Sequence, residues 1–301
     1  MRQTYYRVGG HLLVIQYKDE HNDESLIPSF RPFVLDAPNE GEEPLFTLTV
    51  DDNFHYDGER DEVGQFDGSG NNYGVYAKPD GGYLIEMSNP KGELCGTLCA
   101  DKTFQHCTTT LLKEGFSNRN FALNNSLMMA YAFASADKQT VLLHASVIRK
   151  DGRGYLMTAP SGTGKSTHTF LWYKNIPGCD LMNDDNPVVR IVEGTPIIYG
   201  TPWSGKTPCY RNIEAPVGAI VRIQQRKKNE IRRMRPVEAL AHLLPAASSM
   251  KWDERIYLNT CETLTGIIRT VPIFELGCLP DAEAAWLCYN TVSKGGLGIR
   301  D

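Results

Sequence analysis

The residues best suited to chemistry lie in Ala159-Pro160-Ser161-Gly162-Thr163-Gly164-Lys165-Ser166. Small residues let backbone N–H groups wrap phosphate oxygens, a lysine meets the β/γ charge, and a hydroxyl suits Mg²⁺. The run departs from G-x-x-x-x-G-K-[ST] at its first position, where Ala159 replaces glycine. Ser161, Gly162, Thr163, Gly164, Lys165, Ser166 and Thr167 are therefore the expected nucleotide contacts. Downstream stands Asn183-Asp184-Asp185-Asn186. Two adjacent carboxylates near a phosphate site can divide the work: one orders Mg²⁺ directly or through water, and the other accepts a proton from an attacking hydroxyl.

Other candidates are less specific. Gly200-Thr201-Pro202-Trp203-Ser204-Gly205-Lys206 offers a lysine, Lys206, to an acceptor or phosphate, and reads equally as a structural turn. Trp203 suits ligand stacking or core packing. From Arg222 to Arg235 the chain carries Arg226, Lys227, Lys228, Arg232 and Arg233 against one acid, Glu230. Without interleaved aromatics this is a solvated face and no nucleic-acid platform, although Arg222 or an arginine of the following strand can stabilise phosphate charge. Cys95, Cys99 and Cys107, with His106, lack the spacing of zinc knuckles and sit in strand-like sequence, so reduced thiols are expected. Asp57 to Glu62 lacks the glycine and terminal glutamate of a calcium loop. No Ser-His-Asp spacing, H-E-x-x-H or Asn-Lys-x-Asp motif is present.

The elements that must position these residues follow from pattern. Gly154 to Thr158 is strand-like and leads into the loop; Thr167 to Lys174 is helix-like and brings a positive dipole end to it. Thr140 to Arg149 predicts a strand containing His144, and Lys150 to Gly154 a turn, so that a hairpin feeds the loop. Leu181-Met182 predicts a short strand with Asp184 and Asp185 at its C-terminal end, where open α/β sheets bind ligands. Gln224 to Glu230 reads as a hairpin tip. Residues 1–122 read as β-rich: His11 to Tyr17, Pro44 to Val50 and Gly82 to Met87 are short apolar or alternating runs between Asn, Asp, Gly and Pro, suggesting an antiparallel meander. Gly68 to Asn72 fits a hairpin connection or a mobile turn, and Asp57 to Glu62, within the carboxylate-dense stretch from Asp36 to Asp67, a solvated loop. Asn124 or Asn125 can cap a helix through Ser126 to Ala134, and the domain boundary is placed there, giving domains 1–122 and 123–301.

A chain of 301 residues with net charge −5 has ample core and no overall pull toward nucleic acid or anionic membrane. No apolar run is long enough for a transmembrane helix, and Met1 to Tyr6 lacks the apolar core of a signal peptide, so a cytoplasmic location is expected.

His144 in a strand, the hairpin, Pro160 to Ser166 and Asn183-Asp184-Asp185 together resemble the catalytic domain of HPr kinase/phosphorylase, and more distantly ATP-dependent phosphoenolpyruvate carboxykinase. Leu143-His144-Ala145-Ser146, Asn183 to Pro187 and Gly200 to Lys206 resemble segments of bacterial HPr-kinase-like proteins. The likeness spans roughly residues 140–235. It implies an HPr-kinase/carboxykinase-like P-loop domain with a mixed sheet; with the β-rich N-terminal domain, which the likeness does not cover, the expected fold is α/β (α+β overall). It further implies that Lys165 binds phosphate, that Ser166 and Asp184 hold Mg²⁺, that Asp184 and Asp185 take the metal and catalytic-base positions, and that His144 assists the base. The family's C-terminal signature loop and its acidic metal-supporting residue have no counterpart here, so kinase chemistry carries over rather than the substrate HPr. The expected activity is Mg²⁺-dependent transfer of a phosphoryl group from ATP to a hydroxyl of a protein, peptide or small-molecule acceptor, with catalytic residues Asp184, Asp185, His144 and Lys206. A nucleotide-binding regulator or scaffold without transfer, and a carboxykinase-like enzyme, are the alternatives. A homo-oligomer is open.

Overall fold

Short strands of alternating burial pair into two large mixed sheets in the computed structural model, which describes residues 1–68, 71–205 and 207–293. The chain divides into two compact units, Met1–Ser135 with Met250–Glu254, and Ala136–Ser249 with the remainder.

In the first unit, β1 (Arg2–Val8), β2 (His11–Tyr17), β3 (Val34–Leu35), β4 (Phe46–Val50), β5 (Asp61–Gly68), β6 (Asn71–Ala77), β7 (Tyr83–Ser88), β8 (Leu94–Ala100) and β9 (His106–Leu111) form one sheet. Its order among the described residues is β3-β1-β2-β4-β9-β8-β7-β6-β5. β5 to β9 make the expected antiparallel meander. β4 departs from it by pairing parallel with both β2 and β9, which makes the sheet mixed. Ser69 and Gly70, within the expected hairpin connection, lie outside the described residues. The eight cysteines are free thiols. Burial pushes the Cys107 thiol well up, as expected for an inert core residue.

Helix α1 (Phe116–Ala134) begins earlier than Asn124 or Asn125 suggests. Its N-cap is Gly115, at φ +88° and without a side-chain cap bond, so the usual polar start signal is absent. Asn125 instead lies inside the helix and donates to the Phe121 carbonyl at 2.7 Å. The helix covers the first sheet: Ser126 Oγ lies 2.8 Å from Thr109 Oγ1, and Tyr131 donates its hydroxyl to the Val8 carbonyl. The whole helix belongs to the first compact unit, which runs to Ser135.

The second unit contains β10 (Thr140–Leu142), β11 (Ala145–Lys150), β12 (Arg153–Thr158), α2 (Lys165–Asn175), β13 (Asp180–Asp185), β14 (Val188–Val192), β15 (Thr195–Tyr199), β16 (Glu214–Gln225), β17 (Glu230–Arg233), α3 (Pro236–Leu243), α4 (Glu254–Thr270), β18 (Ile273–Cys278) and α5 (Ala282–Val292). The main strand order is β10-β14-β15-β16-β12-β11-β13, with β18 beside β16 and β17 beside β18. The β11–β12 hairpin that feeds the loop forms as expected. The strand expected over Thr140 to Arg149 is broken at Leu143-His144, because Leu143 bridges Ala247 and the His144 N–H donates to the Ala246 carbonyl. Gln224 to Glu230 is not a hairpin tip: β16 and β17 do not pair, since β18 runs between them, parallel to one and antiparallel to the other.

Side-chain alternation gives this sheet two buried faces. Val147, Leu156 and Ile220 pack with Leu243, Leu264 and Ile267 of α3 and α4. Tyr155, Met157 and Val221 pack with Trp172 of α2 and with Ala284 and Cys288 of α5. Among the described residues no helix is long and apolar enough to cross a membrane.

Within the second core, His168 is 2% exposed and accepts the Trp172 indole N–H at Nε2, which requires a neutral ring. Burial lowers its pKa from 6.5 to about 4. The unfolded chain thus binds the additional proton first, and stability falls as pH drops from 6.5 toward 4, by at most about 3 kcal/mol from this group. Urea midpoints measured across that window should decline more steeply for the wild type than for His168→Gln; equal slopes would remove His168 as a source of acid sensitivity.

Candidate functional site

β12 ends at the buried Thr158, and the chain turns into the loop through Ala159. Ala159 is absent from the positive-φ residues, so alanine adopts its backbone without strain, and its side chain joins the core against α2. The departure from glycine at this position is thereby accommodated. Gly162 and Gly164 have φ of +76° and +114°, a region that side-chain-bearing residues enter only at cost. Gly164 is the N-cap of α2 and provides no side-chain cap bond, which leaves the first backbone N–H groups of the helix directed toward the loop. Helix α2 starts at Lys165.

The lysine is folded back into the site. Lys165 Nζ lies 2.8 Å from His144 Nε2 and 3.1 Å from the Ala159 carbonyl oxygen. Burial pulls its ammonium below the ordinary lysine value, while Asp185 and Asp184 act in the opposite sense. His144 uses its other ring nitrogen to reach Asp185: Nδ1 to Oδ1 is 3.0 Å. This is a consequence of register. β11 pairs antiparallel with β13 so that Ala145 faces Asp185 and Ser146 faces Asp184, which sets the residue preceding β11 beside the last carboxylate of β13. Ser166 donates its hydroxyl to Asp184 Oδ1 at 2.8 Å, and Asp184 is 4% exposed. Lys165, Ser166, His144, Asp184 and Asp185 are thus one constellation. Lys206 lies outside the described residues.

The donor set beside Ser166 fits Mg²⁺. A hydroxyl and a carboxylate oxygen are hard ligands, and among the described residues no group of three or more His, Cys, Asp and Glu side chains gathers as a complete metal cage. Mg²⁺ characteristically takes one or two protein oxygens and completes its octahedron with water and phosphate.

Several residues that sequence reasoning left without a role support the carboxylates. Asn183 is fully buried and donates to Thr201 Oγ1 at 3.0 Å; Thr201 in turn donates to the Asn186 carbonyl at 2.8 Å. Ser204 Oγ reaches the Asp184 carbonyl at 3.0 Å, and the Gly205 N–H donates to the same oxygen at 2.5 Å. The only hint in the sequence was their membership of the Gly200 to Lys206 run. Trp203 is buried, which places it in packing. Gly200 is held closely: a Cβ there would come 2.1 Å from the Arg211 carbonyl oxygen.

On the other side of the loop, Arg222 pairs in register with Thr158 and contacts Glu275 at 3.3 Å. Arg232 binds Glu275 and Glu238. Gln225 Nε2 donates to the Thr163 carbonyl at 3.2 Å. The ring of His242 lies 2.8 Å from Thr158 Oγ1, and burial followed by the Arg222 charge lowers its pKa to about 4.

No protein-family model matches the chain, and no curated protein does. Among solved structures it is similar to the Hpr(Ser) kinase/phosphatase from Coxiella burnetii, at 13% identity and a TM-score of 0.31, over 52% of this chain and 96% of that one.

Thr201→Val keeps the shape but strips the acceptor from Asn183 and the donor from Asn186. Leaving buried polar groups unmatched costs about 1–3 kcal/mol, to be read from urea unfolding; a loss below about 0.5 kcal/mol, the range of an ordinary surface change, would show that this network does not hold the site.

Proposed function

We propose that the protein is a Mg²⁺-dependent phosphotransferase that moves a phosphoryl group from ATP to a hydroxyl of a protein, peptide or small-molecule acceptor. The observation that carries this reading is the continuous contact line from the loop to the base: Lys165 to His144 at 2.8 Å, then His144 to Asp185 at 3.0 Å, with Ser166 on Asp184 at 2.8 Å beside it. A phosphate-binding lysine and a carboxylate base for the attacking hydroxyl are two of the groups that phosphoryl transfer needs, and here both contact one imidazole.

Each residue then has a task. The N–H groups from Gly162 to Thr167 would enclose the phosphates at the positive end of α2. Lys165 would exchange its bonds to His144 and Ala159 for phosphate oxygens, whose charge favours the ammonium that burial now disfavours. Ser166 and Asp184 would hold Mg²⁺, which when bound neutralises charge on the phosphate oxygens. Asp185 would accept the acceptor's hydroxyl proton, with His144 Nδ1 fixing the orientation of its carboxylate. Lys206 would help to hold acceptor or phosphate.

Asp185→Asn should leave Mg·ATP affinity, measured by calorimetry, within a small factor and lower product formation by roughly 10²- to 10⁴-fold. Lys165→Ala should instead weaken nucleotide binding itself. Phosphorylated products from ATP, Mg²⁺ and host extract, detected by mass spectrometry, provide the activity readout. Unchanged product formation in both variants would refute the proposal, and tight Mg·ATP binding with no product from any acceptor would favour a nucleotide-binding regulator.

A further inference from the structure

Asp185 has φ +139°, a backbone region that non-glycine residues occupy only under strain. It is the terminal residue of β13 and bears the carboxylate that faces His144. Glycine would relieve the strain but would remove the carboxylate. The conformation must therefore be held by its surroundings, and the residues that hold it lie in one returning segment.

That segment meets β13 at an isolated antiparallel bridge between Asp185 and Ser204. The Asp184 carbonyl oxygen belongs to the peptide group that immediately precedes the strained φ. It accepts the Gly205 N–H at 2.5 Å and lies 3.0 Å from Ser204 Oγ, whose single hydroxyl hydrogen it shares with the Thr207 carbonyl oxygen. Ser204 Oγ is itself fixed, 2.6 Å from the Thr207 carbonyl oxygen and accepting the Cys209 N–H at 3.2 Å. Gly205 packs directly against the carboxylate residue. A Cβ at position 205 would come 3.3 Å from Asp185 Cβ and 3.4 Å from both Asp185 Cγ and the Asp184 carbonyl oxygen. With the peptide plane pinned from one side, and β11 paired with β13 on the other through Ala145 and Asp185, rotation of Asp185 toward relaxed backbone angles is blocked.

We infer that Ser204 and Gly205 clamp the Asp184–Asp185 peptide and thereby set the Asp185 carboxylate against His144, making Ser204 a positioning residue for the transfer step. This rests on the phosphotransfer reading above. Ser204 touches neither phosphate cradle nor carboxylate; it acts through the peptide that carries the carboxylate. A misplacement of about 1 Å at a reacting group costs on the order of 10²-fold in rate, so releasing the clamp lowers kcat and leaves nucleotide binding alone.

The test compares Ser204→Ala, Ser204→Thr and Gly205→Ala with the wild type, each as the full chain, by amide hydrogen exchange at Gly205, by Mg·ATP affinity and by the rate of phosphorylated-product formation. Ser204→Ala should speed Gly205 exchange at least about 10-fold, keep Mg·ATP affinity within about 2-fold and lower kcat about 10- to 100-fold, with Ser204→Thr recovering part of the loss. Gly205→Ala should lower kcat with affinity retained, because its Cβ displaces Asp185. Unchanged Gly205 exchange in Ser204→Ala overturns the clamp whatever the rates do. Faster exchange with unchanged kcat overturns its positioning role, as does a loss confined to Mg·ATP affinity. Failure of the underlying reading has a different signature: the wild type and Lys165→Ala then form equally little product, and the positioning role falls with it.

Discussion

The site depends on β11 being shared. One edge of this six-residue strand pairs antiparallel with β12, which leads into the Ala159 to Lys165 loop, and the other pairs antiparallel with β13, which delivers the carboxylates. Because both neighbours run opposite to β11, the C-terminal ends of β12 and β13 emerge beside its first residue. Ala145 faces Thr158 on one side and Asp185 on the other. His144, one residue earlier, stands between the lysine and the carboxylate. Slipping β13 by one residue would turn its side chains to the opposite face of the sheet and separate Asp184 from Ser166.

Around that pairing, polar groups are buried and matched by one another. Lys165 and Asp184 are both more than nine-tenths buried, a costly placement for charged groups unless partners surround them. Their partners are one another's neighbours: His144, the Ala159 carbonyl, Ser166, and beneath them Ser146 bonded to Thr169. The apolar layers of α2 with α5, and of α3 with α4, keep the sheet rigid on both faces. Of His144, Lys165, Ser166, Asp184 and Asp185, it is Asp185 that takes a positive φ, at the end of β13 where the chemistry is proposed to begin.

What was legible in the sequence was local. Gly162, Gly164, Lys165 and Ser166 announce a turn into a helix, and the hairpin before them follows from two apolar runs around Asp151-Gly152. Asp184 and Asp185 were legible as a pair, and their placement at the end of a strand followed from Leu181-Met182. What was hidden depends on chain segments far apart in sequence. The break at His144 exists because Ala246 and Ala247 return to that point. β18 separates β16 from β17 although it comes some forty residues after them, and no local pattern distinguishes this from a hairpin. Gly115 starts α1 through its backbone alone, so no capping side chain marks the position. Ser204 and Thr201 are ordinary small polar residues in sequence and acquire a role only by closing onto β13. Ala159 illustrates the converse: a departure visible in the sequence is absorbed by an ordinary backbone conformation.

On the proposed function, Lys165, now bonded to His144 and the Ala159 carbonyl, becomes the phosphate ligand of a site whose base is Asp185. A crystal structure with Mg²⁺ and a non-hydrolysable ATP analogue tests it most directly. The phosphates should lie over Gly162 to Thr167, with Lys165 Nζ moved from His144 to a phosphate oxygen, Mg²⁺ between Ser166 and Asp184, and Asp185 still against His144 facing the terminal phosphate. A nucleotide seated elsewhere, or Lys165 retaining both of its present bonds with the analogue bound, would contradict it.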